Sequence, residues 1–129
     1  SKLGPDPITP DEDKYLIHHY KFTEVISNED MTIYKNHILN AFKNNKKFYA
    51  IQDVLDINNF KMNYMTHFLT LDALFKDKSL VKKYVGATVI VVKKKNKGMF
   101  DFIFKLRKTE TPNKIVTTLE DAVQFIYTQ

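Results

Sequence analysis

Two stretches of this sequence constrain its fold more than any other feature. Phe48-Tyr-Ala-Ile-Gln-Asp-Val-Leu55 and Ala87-Thr-Val-Ile-Val-Val92 are short, branched or aromatic, and apolar on both parities. A strand with one wet face alternates apolar and polar residues; a strand that is apolar on both sides is covered on both sides, which is the signature of an inner strand in a parallel sheet. Parallel neighbours cannot be joined by a tight turn and need a crossover, usually a helix. The sequence between and around the two stretches supplies the helices.

Met31, Tyr34, Ile38, Ala41 and Phe42 recur at steps of three and four, with Lys35, Asn36, Asn40 and Lys43 left for the outer face, and Ser27 or Asn28 is placed to cap that helix. Met62, Met65, Phe68, Leu69, Ala73 and Phe75 predict a second helix from about Met62 to Asp77. Ser79 opens a short turn carrying Leu80, Val81 and Tyr84, which Gly86 is expected to stop. Asn96 is a candidate cap for a helix over residues 97–108, and Thr118 with Asp121 for a last one through Leu119, Ala122, Val123 and Ile126. Tyr15-Leu-Ile-His-His-Tyr-Lys-Phe22 reads as a strand near a sheet edge, and Lys114-Ile-Val-Thr117 as a short one. The order is β-α-β-α-β-α-β-α, which predicts an α/β domain with about four strands in a largely parallel or mixed central sheet and helices packed against it.

At 129 residues, one core and one domain are expected, spanning residues 14–129. Residues 1–13, with three prolines and a glycine among the first ten, read as a flexible linker or cloning remnant. No apolar run nears the roughly 18 residues that a membrane-spanning helix requires. The chain has no cysteine, which excludes disulfides and thiolate chemistry and suits a reducing, cytoplasmic setting.

Catalytic and cofactor chemistry finds little purchase. His18 and His19 are neighbours on a strand and face opposite ways, and His37 and His67 lie on separate helices, so no metal site and no cofactor is expected. The only glycines, Gly4, Gly86 and Gly98, form no phosphate cradle. Asp53 and Asp56 are the one close acidic pair at an expected strand end. A small hydrolase or transferase would have to use them, yet aspartate at such a place more often builds a turn through its own side chain.

The charge is uneven. Between Lys82 and Lys114 stand ten lysines and arginines against Asp101 and Glu110, whereas the whole chain carries only +5. Lys93, Lys94, Lys95, Lys97, Arg107 and Lys108 are therefore candidates for an anionic ligand or membrane surface. Nucleic acid is not the expected partner, because Tyr84, Phe100, Phe102 and Phe104 are better accounted for as core than as stacking platforms.

The element order, the strand ending in Asp53 before a loop and helix, the strand Gly86-Ala-Thr-Val-Ile-Val-Val92 and the ending Ile115-Val-Thr-Thr-Leu-Glu-Asp-Ala-Val-Gln-Phe-Ile126 together resemble a STAS domain, the family named for sulfate transporters and anti-sigma-factor antagonists. The resemblance covers residues 14 to 128. It implies a non-enzymatic regulatory module that binds a protein partner through the loop and helix start after the central strand, here Asp56, Asn58, Asn59, Lys61, Met62 and Asn63. In the antagonists that loop carries a phosphorylated serine. Laid from Asp53, the family motif ends among Lys61, Met62, Asn63 and Tyr64, where no serine stands, and Thr66 is the nearest hydroxyl. The resemblance thus implies a binding surface without the usual switch. Self-association through a sheet edge or helix face is a further expectation.

Overall fold

The computed structural model describes residues 3–5, 16–23, 28–58, 78–105 and 111–129. Four strands, β2 (Ile17–Lys21), β3 (Phe48–Asp53), β4 (Val85–Val91) and β5 (Asn113–Val116), form a parallel sheet in that spatial order. A short β1 (Leu3–Pro5), inside the segment expected to be a linker, adds antiparallel to β2, opposing Leu3 to Tyr20 and Pro5 to His18. Proline is at home there because an edge strand has N–H groups that need no partner. β2 is consequently flanked on both sides. The two inner strands are those with apolar residues on both parities: every residue of β3 is buried, and β4 is buried except at Thr88.

Among the described residues the helices are α1 (Asn28–Lys43), α2 (Lys78–Tyr84), α3 (Lys97–Lys105) and α4 (Leu119–Tyr127). Crossovers of one hand that each step to the next strand in the same direction leave their helices on one face of the sheet. Tyr34, Ile38, Ala41 and Phe42 of α1, Val81 and Tyr84 of α2 and Phe100 of α3 indeed join one core with Tyr20, Phe48, Ala50 and Ile90. The last helix, α4, covers the opposite face, where Ala122 and Ile126 pack with Ile17, Tyr49, Ile51, Ala87, Val89 and Val116. Complete burial of a side chain such as Ile38 or Ile51 contributes about 1.5–3 kcal/mol each.

The helix periodicity of α1 holds, and its exit is made by Asn45, whose φ of 60° is the left-handed conformation that asparagine tolerates. The Tyr84 hydroxyl donates to Asn45 Oδ1 at 2.5 Å, tying that exit to α2. Thr118 caps α4 as its spacing predicts, its Oγ1 accepting from the Asp121 amide at 3.1 Å. Gly86 departs from expectation. It is not a helix stop but lies within β4, at the register shift opposite Phe48 and Tyr49. Phe102 also departs, for its side chain is 66% exposed rather than part of the core. The predicted helix from Met62 to Asp77 lies outside the described residues, as do His67, Arg107 and Lys108. Among the described residues, no helix is long and apolar enough to cross a membrane.

Candidate functional site

In a parallel sheet the strands end together, and the loops that leave their carboxyl ends share one edge. Here that edge is locked flush by backbone bonds: Phe22 N–H donates to Asp53 O, Val54 N–H to Val91 O, and Val92 N–H to Val116 O, each at 2.9 Å. The loop after β3 emerges at its middle.

Asp53 starts the loop. Its Oδ1 accepts the Leu55 amide at 3.0 Å, an aspartate turn built by its own side chain, and its Oδ2 accepts from His19 Nε2 at 2.9 Å. Both residues are buried. Burial raises the Asp53 carboxyl, but the hydrogen bonds from His19 and Leu55 and the nearby charges of His19 and Lys21 outweigh it and hold the group below its ordinary value. With an ionised acceptor, His19 Nε2 must be the donor. Asp53 is therefore the turn residue its sequence context suggests, with a partner that context hides, since His19 stands 34 residues away.

The loop then folds back on itself. Ile57 N–H donates to Val54 O at 3.1 Å, and the Ile57 side chain is fully buried as a plug. Across the edge, Asn96 Nδ2 lies 3.3 Å from both Ile57 O and Asn58 O. Expected as a helix cap, Asn96 uses its amide to fasten the β4–α3 connection to the β3 loop. Between these anchors Asp56 and Asn58 are exposed. Lys21 Nζ approaches Asp56 Oδ2 at 3.5 Å, an open pair of the kind that contributes little to stability. Of the six residues expected to contact a partner, the structure places Asp56 and Asn58 together on this loop; Asn59, Lys61, Met62 and Asn63 lie outside the described residues.

The basic candidates divide. Lys94 and Lys95 are exposed on a single 3-10 turn (Lys94–Asn96), Lys93 is half-buried, and Lys97 Nζ is paired with Asp101 Oδ2 at 2.7 Å. A cleft of about 470 Å³ between the start of α3, β5 and α4 is lined by Lys97, Lys114, Thr117, Asp121 and Gln124 among others, so it presents both signs of charge. Among the described residues, no group of three or more histidines and carboxylates is arranged to hold a metal ion.

On the sheet face toward α1 runs a second polar set missed by sequence reasoning. His18 Nδ1 and His37 Nδ1 each lie 2.9 Å from the Tyr20 hydroxyl, and Gln52 Nε2 donates to the Tyr34 hydroxyl at 2.8 Å. One phenol proton serves two imidazoles, so one ring accepts it while the other donates its own Nδ1–H. His18 also stacks on Phe48, with centroids 5.2 Å apart. Burial, then the neighbouring His37, lowers His18 to about 4, and burial lowers His37 as well. The consequence is acid sensitivity: these groups are neutral when folded and take up protons first when unfolded. Stability should be full above pH 6.5 and fall as the pH drops from there toward 4, by roughly 2 kcal/mol once solvent screening is allowed for. A series of urea melts between pH 7 and 4 checks this, and His18→Phe should flatten the slope.

No protein-family model, curated protein or solved structure matches the chain.

Proposed function

We propose that the chain is a non-enzymatic interaction module, a STAS-like regulatory domain of the cytoplasm, that recognises a protein partner with the loop after β3. The observation that carries this reading is the way the loop is built. Its base is fixed by the Asp53 turn, the Ile57 plug and the Asn96 clamp, while Asp56 and Asn58 are exposed. Rigid anchoring beneath exposed polar groups lowers the ordering cost of association. A catalytic use of the two carboxylates has weaker support: Asp53 is committed to His19 and the Leu55 amide, and Asp56 reaches toward Lys21.

The test compares the wild-type domain with Asp56→Lys, Asn58→Ala and a distant surface control, Lys35→Glu on α1, as baits in lysate of the native cell, with quantitative mass spectrometry as readout. A protein retained by wild type and control, and reduced about tenfold or more by each loop change, is expected, the effect of losing one well-placed contact at a small interface. Asn96→Ala should weaken capture less, through loosening of the loop. Equal recovery on all baits would remove the loop from partner recognition.

A further inference from the structure

The outer face of α3 is exposed at Met99 and Phe102, while the β3 loop is held by Asn96. Met99, Phe102 and Lys105 follow one another at steps of three, so they share a side of the helix opposite buried Phe100. Phe102 is 66% and Met99 36% exposed. Lys94 and Lys95, on the turn that leads into the helix, and Lys105, in its last turn, are exposed at its two ends. The one acid on the helix, Asp101, is already neutralised by Lys97 at 2.7 Å.

We propose that this face docks on an anionic lipid bilayer, with Phe102 and Met99 entering the headgroup boundary and Lys94, Lys95 and Lys105 meeting the negative surface. An apolar strip bracketed by lysines, on a helix too short to span, is the pattern of a helix that lies in the interface plane. Charge decides among the occupants. A second copy would bring two strongly basic segments together, because residues 82–114 hold ten cations against two acids. Single-stranded nucleic acid would want several stacking rings, and this strip offers one. An anionic surface satisfies the lysines and the apolar pair at once, each nearby lysine strengthening binding about fivefold.

The chain has no tryptophan, so Phe102→Trp places a single reporter at the proposed depth. Its emission should shift to the blue on vesicles of phosphatidylcholine with roughly one-fifth phosphatidylserine, stay unmoved on phosphatidylcholine alone, and revert as salt is raised. In flotation, Phe102→Asp should weaken binding about tenfold and Lys94→Glu with Lys95→Glu about thirtyfold or more, with melting temperatures near wild type because these side chains are exposed. No binding to the phosphatidylserine vesicles, or binding that both variants retain, overturns the proposal. So does a blue shift that depends on protein concentration without lipid, or one produced by a single-stranded oligonucleotide in its place. None of these outcomes touches the β3 loop.

Discussion

Asp53→Ala is expected to cost about 2–4 kcal/mol, because the change removes a buried charged acceptor from two donors at once. His19 Nε2 would lose its carboxylate in a buried setting, and the part-buried Leu55 amide its turn acceptor. Asp53→Asn should cost less: an amide oxygen can still accept the Leu55 N–H, though its NH₂ then meets an imidazole that must change tautomer. Urea melts at pH 7 measure both, and the midpoint should move at constant slope, since the loop changes and the extent of unfolding does not. The pH dependence separates this pair from the His18 network. Asp53 is held below its ordinary value of 3.8, so its contribution is present above that value and disappears as the pH falls through the folded-state one. The gap between wild type and Asp53→Ala should therefore hold at pH 5, where His18 is already being penalised, and close only under stronger acid.

Asp53 also shows how far the sequence could be followed. That the strand ends there and a turn begins was legible, because aspartate after a buried apolar run has a local reason to be present. Its partner was not legible from spacing, since β2 and β3 are brought side by side only by the sheet. A parity argument points to it: in the observed register Lys21 lies opposite Asp53, so His19, two residues earlier, is on the same face and within diagonal reach. The same logic, applied to the other parity, brings His18 and Tyr20 to the α1 face, where His37 meets them. Periodicity located α1 and the inner strands because burial on a regular element imposes a period. It failed at Phe102, where an apolar residue within a helical pattern faces outward, and at Asn96, whose side chain bonds across the edge instead of along its own helix. Lys94 and Lys95 could be counted from the sequence, but only the fold leaves them exposed on the turn that opens the helix carrying Met99 and Phe102.

Gly86 supplies the sharpest case of a residue whose reason is purely tertiary. Its presence after a short helix suggests a stop, which would call for a left-handed backbone, yet no described glycine has positive φ. What requires glycine is Tyr49. A Cβ at position 86 would overlap the Tyr49 ring, which crosses β4 at the register shift between Phe48 and Tyr49. The ring is 7% exposed and packed in the core beneath α4, so it has little room to turn aside. Gly86→Ala should therefore destabilise by about 1–3 kcal/mol, the usual cost of overpacking, and Gly86→Val by more. A double-mutant cycle makes the argument testable apart from general strand disruption. Tyr49→Ala alone is expected to cost about 3–5 kcal/mol as a cavity-forming change. In that background Gly86→Ala should become neutral or stabilise by about 0.5–1 kcal/mol, because alanine orders a strand better than glycine does. A cost that stays the same in both backgrounds would mean that the backbone at position 86, and not the tyrosine ring, is what demands glycine.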